Sequence, residues 1–167
     1  ELLYSMGMSL SLDRVRQFRE DARRARMLVH GCIIIGNPGE TRETIRESLR
    51  WAREMSCDSM QFYPLFVYPG TEAFERTRKE GYLTTGDYSQ WVTAEGYHNC
   101  VIQLPGLPAG EIARICDRAL KNYHFSPGYL WMKFKQAIRA PQEGLRTARS
   151  ALAYIKSLRP QRLTKRD

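Results

Sequence analysis

Leu28-Val-His-Gly-Cys-Ile-Ile-Ile35, followed at once by Gly36-Asn-Pro-Gly-Glu-Thr41, decides how this chain of 167 residues is read. The first stretch is β-branched, almost continuously apolar and of strand length, the pattern of a strand covered on both faces in a parallel sheet. Gly36 to Thr41 breaks it. Thr41 then caps a helix whose inward face is Ile45, Leu49, Ala52 and Met55, with Arg and Glu interleaved outside. Ser59-Met-Gln-Phe-Tyr63 reads as a second short strand. Upstream, Ser11 and Asp13 start a helix over residues 12–26 that places Val15, Phe18, Ala22 and Ala25 on one face. Helix, strand, loop, helix, strand is the βαβ rhythm, and right-handed crossover makes the two strands parallel neighbours. The fold class is α/β.

Beyond the second strand, Tyr68-Pro-Gly-Thr71 is a turn whose Thr71 caps a helix over 72–79, ended by Gly81 in the C′ role. Residues 82–106, rich in Gly, Asp, Asn and Tyr, read as an irregular connector with one short strand at 100–103. Three helices close the chain. The first starts near Pro108 and turns Ile112, Ile115, Ala119 and Tyr123 inward. The second opens with the Ser126-Pro127 pair, and the third follows Pro141 with Leu145, Ala148, Leu152 and Ile155 inward.

Composition limits the function classes. At 43% hydrophobic and 26% charged, the chain has the usage of a globular domain, not of a disordered or fibrous protein. The most apolar uncharged stretch, residues 27–39, is too short to span a bilayer, which takes about 20 apolar residues. The opening residues lack the basic n-region and cleavage site of a signal peptide, so the expected location is cytoplasmic. The net charge of +8 is uneven: residues 1–110 carry −1 and residues 111–167 carry +9. Cys32, Cys57, Cys100 and Cys116 form no CxxC or Cys/His doublet, so they are expected to be small buried hydrophobes and not metal ligands. His30, His98 and His124 show no metal spacing either, and His30, inside the first strand, is expected to be a strand or core histidine. No catalytic residue is assigned, since the chain holds no GxSxG elbow, P-loop or Ser/His/Asp order.

The loop from Gly36 to Thr41 joins the C-terminal end of a parallel strand to a helix N-terminus, where α/β proteins place ligands because free amides and the helix dipole face outward. Glycine at 36 would let a flat ligand lie against the backbone, and Glu40 is the acid placed to meet a ligand hydroxyl or amine. The same residues also make an ordinary structural turn, with Glu40 favouring the helix N-terminus. Tyr63-Pro64 and Tyr68-Pro-Gly-Thr71 lie on the same rim. Tyr123, Tyr129, Trp131 and Phe134, among Lys121, Lys133 and Lys135, are expected to pack between helices and not to form a stacking surface.

Taken in order, Val29 to Thr41, Ile45, Trp51-Ala52, Gln61-Phe62, Tyr68-Pro-Gly-Thr-Glu-Ala-Phe74 and Gly81-Tyr-Leu83 resemble the C-terminal half of the radical S-adenosylmethionine (radical SAM) barrel. The resemblance is strongest to members with an N-terminal cobalamin-binding domain, such as anaerobic porphyrin-ring cyclases and hopanoid-biosynthesis proteins. It covers residues 1–83, and extends more loosely through 107–112 and 123–130. It implies a partial (β/α)6 TIM-type barrel in which a [4Fe-4S] cluster cleaves S-adenosylmethionine to a 5′-deoxyadenosyl radical. Ile34, Ile35 and Gly36 match the fifth-strand motif that lies against the adenine, and Asn37, Pro38 and Glu40 match the loop after it. Tyr63, Pro64, Tyr68, Pro69 and Gly70 match the substrate-side rim.

The family's CxxxCxxC cluster motif is absent, as is its Gly-Gly-Glu segment. The resemblance therefore implies the C-terminal part of such an enzyme, inactive alone, with residues 1–83 from the barrel, 84–106 a connector, 107–158 a helical extension and 159–167 a basic tail. Its partners would be the upstream half of the same polypeptide and a small-molecule substrate, with cobalamin held upstream if it is used; nucleic acid is not an expected partner. An apolar, unpaired edge along residues 28–35 is expected where the missing strands would dock. Two other readings stand beside this one. One is a self-sufficient nucleotide-binding α/β module with a phosphate cradle at 36–41. The other is a basic nucleic-acid-binding module built on residues 111–167.

Overall fold

A computed structural model describes residues 11–92 and 98–142, with Arg149 and Leu152. The described elements are α1 (Leu12–Arg24), β1 (His30–Ile35), α2 (Arg42–Met55), β2 (Ser59–Pro64), α3 (Glu72–Lys79), a 3₁₀ turn (Tyr88–Trp91), α4 (Ala109–His124) and α5 (Pro127–Arg139). The chain divides into two compact units, one ending at His124 and the other beginning at Phe125. No helix among the described residues is long and apolar enough to cross a membrane.

Helix boundaries follow local capping chemistry. The Ser11, Thr41, Thr71 and Ser126 side chains each accept a backbone N–H three residues on, and Thr41 and Thr44 form a reciprocal capping box. Helix α3 stops at Glu80, and Gly81 follows with φ +72°, the left-handed conformation of a C′ glycine. The first helix is two residues shorter than its periodicity predicts, ending before a turn at Ala25-Arg26.

β1 and β2 pair in parallel, in register from His30 with Ser59 to Ile35 with Pro64. Helix α2 packs on β1 and α4 on β2. The helix-facing side carries Gly31, Ile33 and Ile35 beside Met60, Phe62 and Pro64, and its core continues into Ile45, Ala52, Ile112, Cys116 and Tyr123. There the Tyr123 hydroxyl donates to the Cys57 carbonyl at 2.8 Å, which satisfies a buried polar group.

The other side of the sheet is open. Burial along β1 alternates, with His30, Cys32 and Ile34 exposed, so the strand is covered on one face and not on both. His30 is accordingly a strand histidine and not a core one: it pairs with Ser59 in the register, and its Nδ1 meets Ser59 Oγ at 2.7 Å on the exposed face. Cys32 is exposed and Cys100 half-buried, and only Cys57 and Cys116 are the buried hydrophobes expected of all four. Among the described residues β1 pairs with β2 alone, which leaves its outer edge unpaired.

The connector is irregular in backbone but well buried. Val101, Ile102, Leu104 and Leu107 are almost fully enclosed, and the expected strand at 100–103 is replaced by isolated bridges, Leu83 with Ile102 and Leu104 with Leu107. In the second unit, Trp131 and Phe134 are exposed and so do not pack between helices as expected. The inward face predicted after Pro141 lies outside the described residues at Leu145, Ala148 and Ile155, and Leu152 is exposed.

Candidate functional site

The open face of the sheet ends in two loops that leave the C-terminal ends of β1 and β2. In the first, Asn37-Pro-Gly-Glu40 is a turn with Pro at its second position and Gly39 at φ +88° in its third, closed by the Glu40 N–H donating to Asn37 O at 3.0 Å. That is the residue pattern of a type II turn. In the second, Tyr68-Pro-Gly-Thr71 repeats the chemistry, with Gly70 at φ +84° and the Thr71 N–H donating to Tyr68 O at 3.2 Å. A threonine helix cap follows or completes each turn.

Glu40 holds the first loop from within. Its Oε2 accepts the backbone N–H groups of Gly36 at 2.6 Å and Asn37 at 3.1 Å, and its Oε1 lies 3.3 Å from Asn37 Nδ2. Asn37 Nδ2 also donates to the Ile34 carbonyl at 3.0 Å, so this buried amide is satisfied at the strand end. The carboxylate thus takes two of the amides that a phosphate cradle at 36–41 would offer. Gly36 combines φ +103° with a close approach to α4, since an added Cβ would come within 3.3 Å of Ile112 Cδ1. The space beside it is filled by protein.

The predicted residues therefore divide between two environments. Ile34 (44% exposed) and Tyr63 (48%) are register partners on the open face and form an apolar pair at the sheet's C-terminal end. Ile35 and Pro64, the next register pair, face the helices, and Ile35 is fully buried. Gly36 and Asn37 are buried, Pro38 and Glu40 half-buried, and Tyr68, Pro69 and Gly70 exposed on the second turn.

Residues that periodicity did not single out anchor that second turn. The Phe66 ring lies 5.0 Å from Tyr68, 5.4 Å from Trp91 and 4.2 Å from His98, and Trp91 also meets Phe74 and Tyr88. A lone Trp in a Gly-, Asp- and Tyr-rich segment was the available signal. Its indole N–H is buried without a hydrogen-bond partner among the described residues.

One contact between helices lies behind the sheet. Arg42, at the start of α2, makes a two-pronged contact with Glu111 in the first turn of α4, at 2.8 and 2.7 Å. This hydrogen bond raises the arginine's pKa and lowers the glutamate's. Burial, with smaller contributions from Cys100, Asp117 and Glu40, pushes the Cys116 thiol up to about 12. The described residues contain no group of three His, Cys, Asp or Glu able to hold a metal ion.

No protein-family model matches the chain, and no solved structure matches it. Among curated proteins it is similar to an uncharacterized methyltransferase of Pyrococcus horikoshii, 27% identical over 100 residues that make up 60% of this chain and 21% of that protein. It is also similar to cytidylyl-2-hydroxyethylphosphonate methyltransferase of Streptomyces wedmorensis, 30% identical over 122 residues, 69% of this chain and 22% of that protein. The curated relatives are thus named methyltransferases, and the matched stretch spans about a fifth of their length.

Proposed function

We propose that this chain is the C-terminal part of a radical SAM methyltransferase and supplies the wall and rim of its S-adenosylmethionine site. The observation that carries the reading is the parallel β1/β2 pair with one face packed on helices and the other open. A sheet of two strands does not cover its own faces or edges, and a barrel gives such an open face an interior to line. The methyltransferase names of the relatives support the same chemistry.

Within this proposal, Ile34 and Tyr63 are the surface on which an adenine ring would lie, being flat, apolar and adjacent. Asn37 and Glu40 are positioning residues: they fix the strand end and leave Ile34 facing outward. Tyr68, Pro69 and Gly70 would border the small-molecule methyl acceptor. S-adenosylmethionine would supply the methyl group or the radical. The cysteines of this chain do not fit a [4Fe-4S] cluster, because Cys57 and Cys116 are buried and no cluster of donors forms among the described residues. Cluster ligands, and any cobalamin, would come from an upstream part of the polypeptide.

The test is purification of the full polypeptide without oxygen, followed by assay of iron, acid-labile sulfide and 5′-deoxyadenosine. Formation of 5′-deoxyadenosine only with a reductant is the expected result. Methyl transfer that needs neither iron nor reductant would reject the radical assignment.

A further inference from the structure

Helix α5 turns its apolar stripe outward. Leu130, Phe134 and Ile138 repeat at i, i+4 and i+8 with Trp131 beside them, and the four are 51%, 56%, 66% and 59% exposed, respectively. The opposite side of the helix, with Tyr129, Met132 and Gln136, is half-buried. A helix of a globular protein ordinarily does the reverse. The Trp131 and Phe134 rings stack at 5.6 Å with 20° between their planes, forming one broad apolar plate.

The charge on this helix has one sign. No Asp or Glu occurs in residues 125–142, whereas Lys133, Lys135 and Arg139 do. Lys135 lies beside the stripe, its Nζ 5.6 Å from the centre of the Trp131 ring, and Arg139 is exposed one turn on, whereas Lys133 Nζ lies over the Tyr129 ring and donates to Gln136 Oε1 at 3.0 Å.

We infer that α5 is a membrane-surface helix that docks on an anionic lipid bilayer, with the Leu130, Trp131, Phe134 and Ile138 stripe in the acyl boundary and Lys135 and Arg139 at the headgroups. An apolar stripe of Trp, Phe and Leu bordered by cations is what the interface selects, and anionic headgroups complement the absence of acids. At 13 residues the helix is roughly 20 Å long, too short to cross the hydrocarbon core, so it lies in the plane of the surface. Aliphatic Leu130 and Ile138 favour lipid over nucleic acid, because bases stack on aromatic faces.

The experiment is vesicle flotation of the full polypeptide, with phosphatidylcholine vesicles and with vesicles that also contain phosphatidylglycerol. Binding to the mixed vesicles is expected at low salt, about tenfold or more weaker on phosphatidylcholine alone. Phe134→Asp should reduce it by a similar factor with the circular dichroism spectrum unchanged. The double variant Lys135→Glu/Arg139→Glu, at two exposed positions, should remove the preference for anionic lipid and keeps the test decisive if Phe134→Asp fails to fold. No binding to mixed vesicles, equal binding to both kinds, or binding indifferent to these changes would overturn the inference. So would salt-sensitive binding of a single-stranded oligonucleotide that needs Phe134 while vesicles are ignored.

Discussion

The Glu40 carboxylate accepts the backbone N–H of Gly36 at 2.6 Å, so the acid of the first rim loop is spent on holding the end of β1. It also takes the Asn37 N–H, which makes it a two-amide anchor for the loop. Hydrogen bonds to a charged group contribute about 1.5–3 kcal/mol when partly buried. Glu40→Ala should therefore lower unfolding stability by about that amount in urea titration, whereas Glu40→Gln, which keeps an acceptor, should lose less. An Ala variant as stable as the parent would remove Glu40 from this role.

Gly36 and Gly70 both have positive φ, but their surroundings differ. A Cβ at 36 meets Ile112, and one at 70 meets nothing within 4 Å. Left-handed backbone costs a non-glycine residue about 1–2 kcal/mol. Gly70→Ala is expected to cost about that, and Gly36→Ala measurably more, because Ile112 must also shift. Equal losses in a denaturant series would contradict the close approach.

The cysteines should label in the order of their exposure. Cys32 reacts first with a thiol reagent, while buried Cys57 and Cys116 react at the rate of unfolding. Cys116 also sets a pH dependence. Its folded pKa of about 12 lies above the free-thiol value of 9.0, so between these the unfolded chain holds fewer protons than the folded one. The contribution is present in full below about pH 9 and falls as pH rises toward 12. Cys116→Ala should flatten that decline in a series of thermal melts; a decline of unchanged slope would assign it elsewhere.

Trp91 packs as a ring and not as a donor. Since its indole N–H has no partner among the described residues, Trp91→Phe should lose mainly packing volume, while Trp91→Ala should cost about 3–5 kcal/mol and loosen the turn at Tyr68. A Phe variant as damaging as Ala would mean that the N–H is bonded after all.

Much of this architecture can be read from local chemistry. The threonine caps, the two Pro-Gly turns and the parallel pairing of the two apolar runs all follow from residues close in sequence. What periodicity does not carry is which face of β1 is covered. Residues 28–35 read as almost continuously apolar, yet His30, Cys32 and Ile34 face outward because coverage depends on elements elsewhere in the fold. The Phe66, Trp91 and His98 cluster escapes for a related reason, as its members come from two irregular segments that meet only in three dimensions. Glu40 was legible as a loop acid, but its inward hydrogen bonds depend on the fold of the turn.

The central claim is that the open face at Ile34 and Tyr63 receives the adenine of S-adenosylmethionine. It is tested most directly by equilibrium dialysis of S-adenosylmethionine with the full polypeptide and its Ile34→Asp variant. Placing a charge where an apolar surface of this size would be buried should raise Kd by about tenfold or more with the fold intact. An Ile34→Asp variant that folds and binds S-adenosylmethionine as tightly as the parent would contradict the account.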